Sequence, residues 1–133
     1  MFNLDIVPEE SVGPYKLGLK DSELEKKIGA FSKRLEAGRI VYVADDYTFY
    51  VNPQTHLLYE IIVSGKFAGN FKGVRLGTTM KDTIELLGSL KNTADDYFCL
   101  QGEGGEPVPG LLFGFPFKDP LSKLEWIAVF LDD

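Results

Sequence analysis

Residues 76–88 read Leu-Gly-Thr-Thr-Met-Lys-Asp-Thr-Ile-Glu-Leu-Leu-Gly, a pattern typical of a short amphipathic helix with its boundary residues. Thr79 and Asp82 approximate a capping box, with an acid in place of the usual Glu or Gln. Gly88 suits the left-handed residue that follows many helix ends. Three apolar residues spaced four and three apart form one helical face: Met80, Ile84 and Leu87.

The same pattern occurs earlier in the chain, between Leu17 and Gly29. In each stretch a Leu-Gly pair is followed eleven residues later by an apolar residue and a second glycine. Asp21, or Ser22 with Glu25, can cap the earlier helix. This internal similarity indicates two copies of a helix-plus-strands unit, although such short motifs can also arise independently.

The sequence defines the end of the first helix less clearly. Gly29 is the end if the two stretches are equivalent, but apolar residues keep helical spacing beyond it. An internal glycine costs roughly 1 kcal/mol relative to alanine. Because four apolar positions on one face outweigh that cost, we predict a kinked helix that continues to about Gly38. The four positions are Leu24, Ile28, Phe31 and Leu35.

Segments rich in β-formers follow the first helix. Arg39–Val43 and Tyr47–Val51 are predicted as strands, joined in a hairpin by Ala44-Asp45-Asp46. A proline turn at 52–55 leads to a third strand, His56–Ser64. Alternation assigns one face of this strand to four residues: Leu57, Tyr59, Ile61 and Val63.

The second helix is followed by a similar set of strands. Tyr97–Gln101 and Leu111–Phe117 are the first two, and Lys123–Leu131 is the last. Phe2–Val7 could add an edge strand at the beginning of the chain. In the last strand, the face equivalent to that of the first copy is predicted to carry Leu124, Trp126, Ala128 and Phe130.

We therefore predict a single domain over residues 1–133, of the α+β class. Repeat one covers about 13–65 and repeat two about 73–131, with an insertion in the second copy at 102–110. The two tandem helix-plus-antiparallel-strands repeats are predicted to form one sheet of about six or seven strands, with the helices on one face.

Composition limits the classes of function. The chain of 133 residues has a net charge of −6, and residues 92–133 carry eight acids against two bases. Such a surface repels phosphate, so we expect no binding to nucleic acid. No apolar run approaches the roughly 20 residues of a membrane helix, no signal peptide is recognisable, and a single cysteine fits a reducing compartment. We predict a cytoplasmic protein with no membrane partner.

Residues that commonly carry chemistry are few and lack partners in the sequence. His56 is the only histidine, and no nucleophile is paired with it. Cys99 has acidic and aromatic neighbours instead of the basic ones that activate a thiol, which is typical of a core cysteine. The paired aspartates match no calcium-binding loop. We therefore predict no catalytic residues, no metal site and no cofactor.

Acidic residues define the predicted partner-binding surface. Long loops in small domains are often functional, and the glycine-rich segment 102–110 carries two glutamates beside the aromatic run Leu111–Phe117. An aromatic face with an acidic rim suits a basic protein partner. The predicted contacts are Asp95, Asp96, Glu103 and Glu106, followed by Asp45, Asp46 and Tyr47.

The repeated pattern of a Leu-Gly pair, a short helix, a second glycine and antiparallel strands resembles the repeat of the β-lactamase inhibitory protein family. It is also similar to the small lipoprotein subunit of the outer-membrane assembly machinery. Residues 77–88 carry most of this resemblance, which implies the tandem-repeat fold. The chain departs from both in lacking a disulfide pair and a lipid-attachment cysteine near its start. In size and charge it is similar to bacterial immunity proteins, which neutralise a cognate toxin.

The sequence favours a cytosolic, protein-binding inhibitor over an enzyme. Most concretely, we expect an immunity protein whose acids pair with the lysines and arginines of a nuclease-type toxin and occlude its active site. One alternative is a small-ligand or carboxylate-based enzyme domain with a deep pocket and two convergent carboxylates. Another is a structural module that homo-oligomerises through an edge strand.

Overall fold

The computed structural model describes residues 4–131, apart from the side chain of Glu103, so the beginning of the predicted strand Phe2–Val7 lies outside the described residues. The fold is α+β, as predicted, with two helices, a three-stranded sheet and an eight-stranded antiparallel sheet. The small sheet consists of β1 (Ile6–Val7), β2 (Ser11–Val12) and β3 (Tyr15–Lys16).

Each helix is followed by four strands of the large sheet. The first group consists of α1 (Asp21–Ile28), β4 (Ser32–Glu36), β5 (Arg39–Ala44), β6 (Tyr47–Val51) and β7 (Leu58–Ser64). The second consists of α2 (Met80–Leu87), β8 (Leu90–Ala94), β9 (Tyr97–Leu100), β10 (Leu111–Gly114) and β11 (Trp126–Phe130).

The large sheet has the strand order β4-β5-β6-β7-β11-β10-β9-β8, so β7 and β11 form its centre and β4 and β8 its edges. The prediction of six or seven strands in one sheet was therefore wrong. Both edge strands were missed because they lack apolar alternation: four of the five residues of β8 and all five of β4 are exposed. The three strands predicted for the second copy are also shorter than expected.

Helix α1 ends at Ile28, so the prediction of a helix continuing to Gly38 was wrong. Gly29 has φ 66°, a conformation outside the helical region that glycine adopts readily. Phe31 and Leu35 are 37% and 71% exposed, so their helical spacing does not reflect a buried helix face. The predicted caps of this helix are also wrong, because Lys20 occupies the N-cap position and supplies no side-chain hydrogen bond.

Helix α2 has the predicted boundaries and N-cap, but Gly88 has φ 108° and ψ −163°, which lie outside the predicted left-handed helical conformation. The backbone N–H of Asp82 donates to Oγ1 of Thr79 at 3.2 Å, and the N–H of Gly88 donates to the carbonyl of Ile84 at 2.8 Å. The helix buries Met80 and Thr83 rather than the whole predicted face, since Ile84 is 41% exposed.

Replacing Thr79 with alanine should lower the free energy of unfolding by about 1 kcal/mol, because the first turn of α2 loses its side-chain acceptor. Thr79→Ser retains the hydroxyl and should stay within a few tenths of a kcal/mol of the wild type. Urea unfolding monitored by circular dichroism measures both. Equal stability of the alanine and serine variants would show that the cap does not contribute.

The core is one apolar cluster on one face of the large sheet. It joins alternate residues of β5, β6, β7, β9, β10 and β11 to Leu24 of α1, Met80 of α2, and Ile6 and Val12 of the small sheet. Its largest fully buried side chains include Tyr42, Phe49, Phe113 and Phe115.

A β-bulge changes which residues of β7 face the core. Tyr50 pairs with Glu60 and Val51 with Leu58, so Tyr59 is an extra residue in β7. The core-facing residues of β7 are therefore three and then two positions apart in the sequence. The core-facing residues in and just before β11 have the same spacing. The core residues are Leu58, Ile61 and Val63 in the first case, and Leu124, Ile127 and Val129 in the second. The predicted face was wrong at Leu57, Tyr59, Trp126, Ala128 and Phe130.

Both helices are connected to the central strands by matching backbone hydrogen bonds. Gly18 donates to the carbonyl of Leu58, whose own N–H donates to Leu19. Likewise, Gly77 donates to Leu124, which donates to Thr78, all four bonds being 2.8–2.9 Å long. Neither helix in residues 4–131 is long and apolar enough to span a membrane.

A hydrogen-bonded cluster connects α1 with β4 and β5. The hydroxyl of Tyr42 donates to Oε2 of Glu25 at 2.5 Å, and Nζ of Lys33 lies 3.3 Å from the same oxygen. Burial, followed by the bond to Glu25, raises the pKa of Tyr42 to about 12.

Stability should fall between pH 10 and pH 12 in part because of Tyr42. The folded state favours its neutral phenol, so this contribution is complete below the unfolded pKa of 10 and is lost as the pH rises through the folded value. Tyr42→Phe should lose about 1 kcal/mol at pH 7 with its hydrogen bond, and its unfolding free energy should decline less steeply above pH 10. Urea unfolding at several alkaline pH values measures this, and an unchanged decline would contradict the assignment.

Candidate functional site

The face of the large sheet opposite the core, here called the open face, carries large side chains. Because side chains alternate between the two faces of a sheet, these large side chains point away from the core cluster, and each of them is partly exposed. The polar face of a one-sided antiparallel sheet usually carries small or charged residues, so a partly exposed apolar surface here is a candidate for contact with another molecule. Its central residues are Tyr50, Glu60, Ile62, Leu112, Trp126 and Phe130.

A groove with a volume of about 360 Å³ crosses the open face over β7, β11, β10 and β9. Its floor is apolar, and carboxylates lie at its two ends, from Glu60 in β7 and from Asp96 in the turn before β9. The lining includes no basic side chain. The lining residues are Glu60, Ile62, Ser64, Asp96, Tyr97, Leu112 and Trp126.

The aromatic end of the groove depends on a glycine. Gly114 pairs with both Trp126 and Tyr97 in the neighbouring strands, and a Cβ atom at Gly114 would overlap the indole of Trp126. The absence of a side chain therefore lets the indole lie across β10. It meets the ring of Tyr97 edge to face, with 5.1 Å between centroids and an interplanar angle of 85°.

At the other end, Glu60 lies beside Arg39 and Tyr50. Nη1 of Arg39 is 4.0 Å from Oε1 of Glu60, and its Cζ lies 4.2 Å from the centroid of the Tyr50 ring. Burial raises the pKa of the Glu60 carboxyl, and Arg39 offsets part of this effect. The protein itself therefore stabilises the charged form of Glu60 only in part.

The structure brings four of the predicted contacts to one end of the sheet. Asp45 and Asp46 form the β5–β6 turn, and Asp95 and Asp96 form the β8–β9 turn. The pairing from Tyr47 through β7, β11 and β10 to Tyr97 places both turns at that end. Four strand spacings of about 4.8 Å, or about 19 Å, separate Tyr47 from Tyr97, the residues that directly follow the two turns. Only Asp96 lines the groove.

The other predicted contacts lie elsewhere. Glu103 and Glu106 belong to the β9–β10 loop, which leaves the sheet at its opposite end, so they do not form one patch with Asp95 and Asp96. Tyr47 packs on the core side, with its ring centroid 5.1 Å from that of Tyr15 and 5.6 Å from that of Phe67. Burial raises the pKa of Tyr47, consistent with a packing role.

The remaining candidates have local structural partners. Nδ1 of His56 lies 2.8 Å from Oδ2 of Asp21, and this hydrogen bond lowers the pKa of the carboxyl. Cys99 is buried in β9. Among the described residues, no group of three or more His, Cys, Asp and Glu side chains could hold a metal ion.

No protein-family model, curated protein or solved structure matches this chain. Its function has to be inferred from the geometry of the site.

Sequence reasoning missed Glu60, Tyr50, Gly114 and Trp126 as site residues. Strict alternation placed Trp126 on the core face, because neither the bulge in β7 nor the irregular spacing before β11 is visible in the sequence. One available signal was the composition of the segment, since Trp126 is the only tryptophan of the chain.

Proposed function

We propose that this chain is a cytosolic, protein-binding inhibitor that covers a basic protein with the open face. The observation that carries the proposal is the groove across this face, which has partly exposed aromatic walls, two carboxylates and no basic lining residue. Aromatic residues are enriched at the centres of protein interfaces, and complementary charge directs the encounter. Most concretely, the partner is a nuclease-type toxin whose phosphate-binding lysines and arginines are occluded, and the chain is its immunity protein.

The size of the open face supports a protein partner. Eight strands have seven spacings of about 4.8 Å, which gives a width of about 34 Å, and five residues of strand measure about 17 Å. The resulting area of about 570 Å² is about 70% of the roughly 800 Å² that each partner contributes to a stable interface, and the loops at both ends of the sheet add to it.

A small-ligand function is the second candidate, because a groove of about 360 Å³ falls in the range of ligand sites. The carboxylates argue against acid–base catalysis. Glu60 and Asp96 are separated by about 14 Å along the strands and three spacings across them, whereas paired catalytic carboxyl groups lie within about 10 Å. A broad contact surface accounts for both residues better.

The architecture of the open face is consistent with a tandem duplication, which we include in the proposal. Each unit consists of a Leu-Gly pair, an eight-residue helix and four strands, and each helix contributes one residue, Leu24 or Met80, to the core cluster. The matching bonds from Gly18 to Leu58 and from Gly77 to Leu124 support this relation. The units meet at β7 and β11, so the centre of the open face is formed jointly.

Affinity capture from the lysate of the source cells tests the function. The tagged protein should retain a basic partner in stoichiometric amount at moderate salt and release it at high salt. Trp126→Ala should reduce the captured amount at least tenfold, because aromatic residues at interface centres are common hot spots. Leu86→Ala is the control, since Leu86 is 57% exposed on α2.

Two results would contradict the proposal. One is recovery of the tagged protein alone under all salt conditions. The other is a partner retained equally by the wild type and Trp126→Ala, because the open face would then not be the contact surface.

A further inference from the structure

We propose that the groove on the open face receives a protruding basic loop of the partner. One arginine or lysine of this loop pairs with Glu60, a second pairs with Asp96, and an apolar side chain between them packs on Ile62 and Leu112. This inference rests on the proposed function and specifies the chemistry of the partner that the same site would bind.

The charge distribution of the groove favours two cations. Glu60 and Asp96 are at opposite ends, and the lining between them consists of apolar, aromatic and hydroxyl-bearing residues. Arg39 approaches Glu60 only to 4.0 Å, which leaves this carboxylate able to accept a closer bond. A ligand with a basic group at each end and an apolar centre therefore complements the groove in both charge and polarity.

Arg39 provides an internal example of how a guanidinium is held on this face. It lies over the ring of Tyr50 and beside the carboxylate of Glu60. The opposite end of the groove offers the same pair of groups, because Trp126 and Tyr97 lie next to Asp96. Arginine combines stacking on an aromatic ring with pairing to a carboxylate better than lysine does, so arginine is the preferred cation at both ends.

The separation of the two carboxylates sets the spacing of the basic residues. Four residues of strand separate the level of Glu60 from that of Ser64, a distance of about 14 Å, and three strand spacings add about 14 Å across the sheet, so the two positions are about 20 Å apart. Basic residues four positions apart in an extended loop span about 13–14 Å, and their flexible side chains can cover the remaining lateral distance. The expected motif is therefore Arg-x-apolar-x-Arg.

The effects of replacing Glu60 distinguish a binding role of this residue from a structural role. Its burial raises the pKa of the carboxyl, so the charged form is disfavoured in the free protein and favoured by an arriving cation. Glu60→Gln should leave the free protein at least as stable as the wild type while weakening the complex. If Glu60 had a purely structural role, the same substitution would lower the stability of the free protein.

A linear peptide tests the inference directly. The probe is Arg-Gly-Leu-Gly-Arg, acetylated and amidated at its ends so that it can bind in the extended form, and its control replaces both arginines with citrulline. Fluorescence of Trp126, the only tryptophan, reports binding at low and moderate salt. The arginine peptide should bind with a dissociation constant below about 1 mM, and the citrulline peptide at least tenfold more weakly.

Variants locate the site of binding. Glu60→Gln and Asp96→Asn should each weaken binding of the arginine peptide about tenfold, since each removes one charge-assisted pair. Glu85→Gln, on the exposed surface of α2, is the matched control and should bind as the wild type does. Absence of binding up to about 5 mM, equal binding of both peptides, or binding unaffected by Glu60→Gln and Asp96→Asn would overturn the inference.

The captured partner distinguishes failure of this inference from failure of the proposed function. If a captured partner requires Trp126 but binds Glu60→Gln and Asp96→Asn with unchanged affinity, the proposed function stands and the basic loop is refuted. A tagged protein that captures no partner would refute the function itself.

Discussion

Replacing Phe49 with alanine should lower the free energy of unfolding by about 3–5 kcal/mol, the range measured for fully buried aromatic residues. Phe49 lies at the centre of β6 and is fully buried. Its ring is 4.9 Å from that of Tyr15 and stacks on that of Tyr47, so it joins the small sheet to the large one. Since domains of this kind are stable by only about 5–15 kcal/mol, the loss is a large fraction of the total.

Phe117→Ala is the matched control for this prediction. Phe117 is 71% exposed in the loop after β10, so the same truncation should change stability by less than about 0.5 kcal/mol. Urea unfolding of both variants provides the comparison. Similar losses in the two variants would show that Phe49 contributes no more to stability than an exposed phenylalanine does.

Replacing Gly114 with alanine should have the second large effect. The new methyl group would overlap the indole of Trp126, and the backbone of β10 is fixed by pairing on both sides, so the ring must leave its position across the strand. Overpacking of this kind typically costs about 1–3 kcal/mol. Because the indole forms one wall of the groove, the variant should also lose the captured partner, as Trp126→Ala does.

The control for Gly114→Ala is Gly102→Ala. Gly102 has φ −79°, and an added Cβ atom there would come no closer than 3.6 Å to a neighbour. Tryptophan emission and urea unfolding should change for Gly114→Ala and stay within error for Gly102→Ala. Unaltered emission in Gly114→Ala would mean that the indole does not lie over β10.

The sequence was sufficient for the α+β class, the boundaries of α2 and the hairpin of β5 and β6. These features depend on local signals, namely the cap at Thr79, the glycine at 88 and the Asp45-Asp46 turn. Helix α1 was predicted too long because Phe31 and Leu35 have helical spacing, whereas the structure leaves them exposed around an edge strand. Edge strands carry little burial pattern from which they could be recognised.

The candidate site was predicted only in part. Asp96 was recognised from local charge, but the pairing of β7 with β11 that positions it relative to Glu60 joins residues more than 60 positions apart. The residues that face away from the core could not be identified either. A single extra residue, Tyr59, reverses the alternation within β7, and such a bulge is set by pairing with β6.

Fluorescence quenching of Trp126 tests the central claim most directly, because it asks whether the only tryptophan lies on an accessible sheet face beside the carboxylates of the groove. Compared with free N-acetyltryptophanamide, Trp126 should be readily quenched by acrylamide, and at low salt relatively more by caesium than by iodide. The purified partner, once captured, should protect it from all three quenchers. Strongly blue-shifted emission that acrylamide does not quench would place Trp126 in the core and contradict the account.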